Sequence, residues 1–416
     1  MAKRPPWAQS KNAHPITDMQ SKYDFLIVGA GLFGAVVAHE LAERGKRVLV
    51  VDKRGHAGGN LYCRSVEGIP VHAYGAHIFH TDKSEIWDYV CRLGTMNHFV
   101  NAPLARFGDR LYNLPFNMNT FHRLFGVITP EEARERIDAE IAADILQMSC
   151  KREQLSLLKL PSAADIIKNS PSDAPRNLEE QALRLCGRTI YETLIKGYTE
   201  KQWGKPATEL PAFIIRRVPL RFTFDNNYFN DPFQGIPVGG YNGWFDRLLA
   251  KADVRLGTDF MKERGALEGI AKHTVFTGCI DEYFDFRLGR LDYRSLRFEE
   301  KVLPVSDFQG NAVVNYTEAR VPYTRVIEHK HFECGRLAQL PVTAVTYEYP
   351  DSYEPGKTPY YPINDARNTA LYNEYKALAA NYPGVTFGGR LGQYAYYDMD
   401  DTIAAALAVA DELAAI

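Results

Sequence analysis

Three glycines in "YDFLIVGAGLFGAVVAHELAERGKRVLVVD" constrain this chain more than any other feature. Gly29, Gly31 and Gly34 follow an apolar strand (Phe25–Val28) and open a helix expected from about Phe33 to Glu43. A second strand is expected at Arg47–Val51, ending beside Asp52. The first glycine permits a tight turn, the second lets backbone approach a pyrophosphate, and the third lets helix pack on strand. The helix N-terminus then offers free N–H groups to the anion, and Asp52 is placed to accept from a ribose hydroxyl. A continuous apolar strand of this kind belongs in a parallel sheet covered on both faces.

The fingerprint alone does not choose between NAD and FAD. "DKRGHAGGN" (Asp52–Asn60), an acid followed by basic residues and paired glycines, resembles FAD-binding two-dinucleotide-fold proteins and adds Lys53, Gly58, Gly59 and Asn60 to the cofactor set. Near the other end, "FGGRLGQYAYYDMDD" sets glycines before a last helix and adds Gly389, Arg390, Asp398 and Met399. That helix would direct its positive end at the flavin. With one fingerprint only, a single dinucleotide is expected and no separate NAD(P)H domain.

The 416 residues allow two or three domains. Net charge is −2, so no global field draws nucleic acid or an anionic membrane, and an anionic ligand must be gripped locally. The six cysteines form no Cys-x-x-Cys pair, which leaves no zinc or thiol-redox signature and fits a cytoplasmic protein; no metal is expected. No apolar run approaches the ~18 residues of a membrane span. Helical signals fill about Thr120–Lys205: Thr129 is an expected N-cap before Pro130, and Asn177 another, with "NSPSDAPRN" (Asn169–Asn177) a loop between them. Strand signals dominate from about Phe284 to Tyr349.

"RRVPLRFTFDNNYFND" (Arg216–Asp231) carries Arg216, Arg217 and Arg221 among aromatic rings. "RLGRLDYRSLRF" adds Arg294 and Arg297, and "VPYTRVIEH" adds Arg325. Guanidinium forks bind phosphate oxygens bidentately. "GYTEKQWG" offers Tyr198 and Trp203 as stacking surfaces. Three readings stand on these features. They are a flavin enzyme acting on a diphosphate ligand, an ordinary FAD oxidoreductase, and a non-catalytic flavin-bound nucleotide-sugar sensor.

Together with "GAGLFGAVVAHEL", "GAHIFHT", "GIPVGGYN", "YYPIND" and "GGRLGQYAYYDMD", these stretches resemble the bacterial UDP-galactopyranose mutase family from about Tyr23 to Thr402. The resemblance implies an α/β fold: an FAD-binding dinucleotide fold, a helical insertion domain and an antiparallel β-sheet domain. The expected FAD domain is discontinuous (22–98, 233–283 and 357–416). The helical insertion spans 120–209. The antiparallel sheet takes 99–119, 210–232 and 284–356, with a mobile substrate loop near 212–225, and residues 1–21 are a flexible tail. The resemblance implies Arg217 (its neighbour Arg216 in reserve) and Arg325 on the diphosphate. It implies Tyr228, Tyr361 and Tyr396 on phosphate, Tyr198 on uracil, Trp203 near the sugar, His77 and His80 against the flavin, and Arg294 and Asp398 in the active site. It also implies the activity: an isomerase interconverting UDP-galactopyranose and UDP-galactofuranose, in service of cell-surface polysaccharide, through a covalent N5 adduct of reduced FAD with no net redox change. The implied partners are UDP-galactose in both ring forms, UDP, a second copy of the chain and an external electron donor for FAD.

Overall fold

The structure is a computed structural model that describes residues 21–148, 162–163, 167, 175–215 and 218–416. The expected tail (Ser21 apart), the Asn169–Ala174 part of the expected loop, and both Arg216 and Arg217 lie outside the described residues.

The chain opens as expected with β1 (Tyr23–Val28), α1 (Leu32–Glu43) and β2 (Val48–Asp52). β3 (Cys63–Val66), β4 (Ile69–His72), β5 (Phe79–Thr81) and α2 (Ser84–Leu93) follow, then the hairpin β6 (Leu104–Phe107) and β7 (Arg110–Asn113). The helical run is α3 (Met118–Phe125), α4 (Pro130–Met148), α5 (Leu178–Ile190), a π-helical turn at Tyr191–Lys196 and α6 (Gly197–Trp203). Next come β8 (Phe233–Gly235), α7 (Asn242–Leu248), β9 (Asp253–Leu256), α8 (Phe260–Leu267), β10 (Ala271–Phe276) and α9 (Ile280–Tyr283). β11 (Tyr293–Leu303), β12 (Val313–Tyr316), β13 (Arg325–Glu328), β14 (Thr343–Ser352) and β15 (Tyr361–Pro362) form the strand-rich stretch. α10 (Ala366–Ala379), β16 (Val385–Phe387), α11 (Gly389–Gly392) and α12 (Met399–Ala414) close the chain.

Five strands make an all-parallel sheet in the order β16–β10–β1–β2–β9. Leu26 and Ile27 of β1 point to opposite faces and both are fully buried, because helices cover the sheet on both sides. α1 is buried along most of its length, packing with Ile403, Ala406 and Leu413 of α12 in one apolar core.

The second sheet has seven strands, β15–β11–β14–β13–β12–β6–β7. The expected antiparallel arrangement needs one correction, since β12 and β6 run parallel, with Val314 opposite Leu104. These two strands are joined by no tight turn, so connectivity does not force them antiparallel.

The helical run begins on the caps read from sequence. The Thr129 hydroxyl accepts from the Glu132 amide at 3.2 Å, while the Glu132 carboxylate accepts from the Ile128 amide at 2.7 Å and the Thr129 amide at 3.1 Å. Asn177 caps α5 through the Glu180 amide at 3.0 Å. Each such cap stabilises its helix by about 1 kcal/mol.

Candidate active site

A cavity of about 510 Å³ lies along the carboxyl ends of β1 and β2, where an open α/β sheet places its ligand. Every residue assigned to the cofactor from sequence lines it: Gly29, Gly31, Gly34, Asp52, Lys53, Gly58, Gly59, Asn60, Gly389, Arg390, Asp398 and Met399.

The glycines are held to their identities by contact. A Cβ on Gly29, at φ +111°, would meet the Thr277 hydroxyl at 2.0 Å, and one on Gly34 would meet the Gly29 carbonyl at 2.0 Å. Gly31 and Gly59 come so close that a Cβ on Gly59 would lie 2.9 Å from the Gly31 Cα. No side chain caps α1 and no acid occupies its first turn, so its amides remain for an anion. Asp52 does more than await a ribose. One oxygen accepts from the Ala30 amide and the other from the Arg54 amide, both at 2.8 Å, which braces the glycine turn. Each carboxylate oxygen keeps a further lone pair. A glycine-floored trough ending in an uncapped helix and an acid fits an extended dinucleotide. Thr258, Asp259 and Met261 before and in α8, together with Thr277, also line the cavity and were not read from sequence.

At the far end the N-terminus of α12 faces the cavity through Asp398, Met399 and Thr402. The expected positive helix end is modified here. Asp400 and Asp401 occupy its first turn, and Lys83 reaches them at 3.4 and 3.0 Å. Burial pushes the Asp398 carboxyl above its ordinary value, with the His80 and Arg390 charges opposing. Arg390 supplies a fixed cation beside this end and donates to the carbonyls of Tyr360 and Tyr397.

His77 also lines the cavity. Its Nδ1 lies 2.8 Å from the Gly75 carbonyl, which can only accept, so Nδ1 carries the proton. Burial, joined by the Arg390 and Arg325 charges, pushes the ring down to about 4. At neutral pH it is therefore an uncharged imidazole with Nε2 left as an acceptor. His80 is placed differently: it stacks on Phe229 at 3.7 Å, its Nδ1 meets the Asp231 carboxylate, and it is not part of the cavity wall.

Arg325 anchors a second cluster. In the β13–β14 register it stands opposite Glu348, and the two form an ion pair at 2.8 Å. Its Nε has no partner among the described residues. Burial opposes its charge, but Glu348, Tyr198 and Tyr361 more than offset this and hold the guanidinium above its ordinary value. Burial pushes the Tyr361 hydroxyl up to about 12, and raises Tyr198 likewise, against the pull of Arg325. Tyr361 stacks on Tyr396 at 5.7 Å, and the Arg390 guanidinium lies 5.8 and 5.4 Å from their rings. Tyr228, 42% exposed, stands at the edge and is felt electrostatically by Tyr198 and Tyr396. One side chain, His77, thus feels both the cofactor end and this cation.

The other assigned residues are less central. Arg294 donates to the Gln202 carbonyl, with its Nε unpartnered, and burial lowers it. Trp203 ends α6 and packs on the core of the helical layer. Arg221 donates to the carbonyls of Asn227 and Tyr228, clasping its own segment, and Arg297 lies over the Tyr349 ring at 3.8 Å. Neither belongs to the grip expected of the arginine-rich stretches. Glu348 was missed, although its inward phase on β14 marks it as a buried acid needing a cation. Asp307, Glu328 and His331 bring ligand-type atoms within 4.8 Å of one another. The Glu328 oxygens, however, already accept from the Phe308 and Gln309 amides and the Thr343 hydroxyl. Among the described residues no helix is long and apolar enough to cross a membrane.

Comparison with known proteins agrees with this geometry. Residues 27–93 match the profile of an NAD(P)-binding Rossmann-like domain, and residues 193–396 that of UDP-galactopyranose mutase. A probable UDP-galactopyranose mutase of Klebsiella pneumoniae is 39% identical over 94% of this chain and 94% of its own. A dTDP-fucopyranose mutase of Escherichia coli is 35% identical, over 92% and 96%. The crystal structure of a reduced UDP-galactopyranose mutase superposes with a TM-score of 0.68 at 14% identity, covering 94% of this chain and 93% of that one, which shows a shared fold. With this identity sustained across nearly the full length of both sequences, the chain belongs to the UDP-galactopyranose mutase family.

Proposed function

We propose that this protein interconverts UDP-galactopyranose and UDP-galactofuranose with no net redox change, holding FAD that is active when reduced. The observation that carries the reading is the adjacency of a dinucleotide cavity and a buried, tyrosine-lined arginine, joined through Arg390, which lines the cavity and lies over the stacked Tyr361 and Tyr396 rings. When bound, reduced flavin supplies the nucleophile and the side chains need not. Cys279 is the cysteine of the cavity wall, and burial pushes its thiol up, so it is no thiolate at neutral pH.

The side chains have defined tasks. Separation of UDP from the anomeric carbon leaves negative charge on the diphosphate, and Arg325 receives it, fixed in place beforehand by Glu348. Arg217, or its neighbour Arg216, brings the second cation. Tyr228, Tyr361 and Tyr396 surround the same anion, and Tyr198 stacks on the uracil. The raised Tyr198, Tyr361 and Tyr396 stay protonated at neutral pH and donate. Arg390 balances negative charge at the cavity end, and neutral His77 accepts a hydrogen bond through Nε2. The same reading carries a cytoplasmic homodimer, reduced by a separate electron donor.

Chromatography of UDP-galactofuranose incubated with the purified protein tests this, with FAD oxidised or reduced by dithionite. UDP-galactopyranose should appear only with reduced flavin and without net flavin oxidation. Stoichiometric flavin oxidation would make the protein an oxidoreductase, and binding without conversion a sensor. Preferential turnover of a dTDP-linked 6-deoxy sugar would move its specificity to that of the E. coli relative. If Arg217→Ala and Arg325→Ala both left turnover unchanged, the assignment of the diphosphate grip would be wrong.

A further inference from the structure

Four features fasten α6 to the seven-stranded sheet. The Thr317 hydroxyl donates to the Thr193 carbonyl at 2.7 Å, in the π-helical turn that leads into α6. Gly197 lets the helix start press onto the β12–β13 connection; a Cβ there would meet the Thr317 carbonyl at 2.3 Å and the Ala319 amide at 2.8 Å. Arg294 donates to the Gln202 carbonyl. Between these, the Lys201 ammonium donates to the carbonyls of Tyr316 at 2.6 Å and Tyr323 at 2.9 Å. Tyr316 ends β12, and Tyr323 stands two residues before Arg325. Lys201 itself stands three residues after Tyr198 on the helix.

We propose that Lys201 is a positioning residue: it joins the helix bearing Tyr198 to the strand bearing Arg325, and so sets how tightly the site grips a nucleoside diphosphate. The proposal rests on the functional reading above. An ammonium suits the place because one atom carries three donors and can join two main-chain carbonyls from different ends of a connection. Charge makes these bonds roughly twice as strong as neutral ones.

Among the described residues the charge is held without a carboxylate in contact. Glu318 contributes only its field; its own oxygens take Arg320 at 2.8 Å and the Gly108 amide at 2.8 Å. The other charged groups facing this point are Arg106, 5.7 Å from the Tyr316 ring, Arg325 beyond Tyr323, and Glu200 on the same helix, which accepts from the Ala207 amide. Burial pulls Lys201 down to about 8, with Glu318 opposing, whereas burial pushes the neighbouring Tyr323 hydroxyl up to about 12. The tie is therefore at full strength well below pH 8 and weakens as pH rises through about 8.

Calorimetric titration of UDP into the purified holoenzyme between pH 6.5 and 9 tests the proposal, with wild type and Lys201→Arg compared. The wild-type Kd should rise about threefold as pH passes 8. The Lys201→Arg Kd should stay level, because its guanidinium keeps its charge. Turnover should follow the same division, with KM rising and kcat held. A level wild-type profile, or parallel rises in both proteins, would overturn the role of Lys201. A wild type that binds no UDP at any pH would instead overturn the nucleotide-sugar reading. Far-UV circular dichroism at each pH keeps unfolding separate from loss of grip.

Discussion

The dinucleotide cradle and the Arg325 cluster meet at Arg390, yet they are assembled differently. In the cradle, Gly29, Gly31, Gly34 and Asp52 come from one strand–helix–strand unit, and their contacts are mostly backbone. In the Arg325 cluster, Tyr198, Arg325, Glu348, Tyr361 and Tyr396 come from helix, three strands and a loop, and their contacts run through side chains. The first is fixed by the absence of Cβ atoms, the second by compensation of charge. A cradle of the first kind should fail abruptly when atoms are added, while a site of the second kind should fail in proportion to the charge left unpaired.

The largest effect should follow from Gly34→Val. With the Gly29 carbonyl 2.0 Å from an added Cβ, helix and turn must separate. A loss of ~3 kcal/mol and absent flavin absorbance after purification are expected. Arg325→Ala should lower kcat/KM by roughly 10³ and stability by about 3–5 kcal/mol, since Glu348 is left buried and unpaired. Removing both partners in Arg325→Ala/Glu348→Ala should restore much of the stability and none of the activity, which thermal melts and steady-state rates would separate.

Acid comes next. Burial holds His77 and His329 down, to about 4 and about 3, and His72 well below its ordinary value. The unfolded chain binds these protons near pH 6.5 and the folded one resists them, so stability is full above that pH and falls as pH drops toward 4. A loss on the order of 3 kcal/mol for each of these histidines is the upper bound that urea titrations across this window would register. Arg221→Gln should release the Asn227 and Tyr228 carbonyls and raise KM about tenfold at nearly constant kcat. Arg297→Ala removes a cation from over the Tyr349 ring face and should cost under ~1 kcal/mol with unchanged turnover. If Arg221→Gln abolished kcat as Arg325→Ala does, the contrast between clasp and grip would break.

This contrast also explains what the sequence disclosed. Twelve residues of the cavity wall could be named because each lies in a short run whose spacing dictates its surroundings. Arg325 could be named as a cation, but its partner Glu348 lies beyond a full turn of sheet, and only the strand register brings them together. Arg221 and Arg297 share their stretches with assigned arginines, yet local carbonyls and one aromatic face claim them first. Composition marks a segment as rich in guanidinium groups; it does not say where each one turns. The parallel pairing of β12 with β6 was hidden for the same reason, because it joins residues more than 200 positions apart.

The parallel sheet takes its strands from residues 23–52, 253–276 and 385–387, and α12 must then lie down on α1. During synthesis the glycine turn emerges long before its covering helix, which follows β9, β10 and β16 in the chain. The nascent chain therefore carries β1 and α1 with apolar faces uncovered until α12 has been made, a state prone to association and suited to chaperone capture. Removing the final helix should leave a chain that keeps its phosphate turn in sequence but never retains a cofactor.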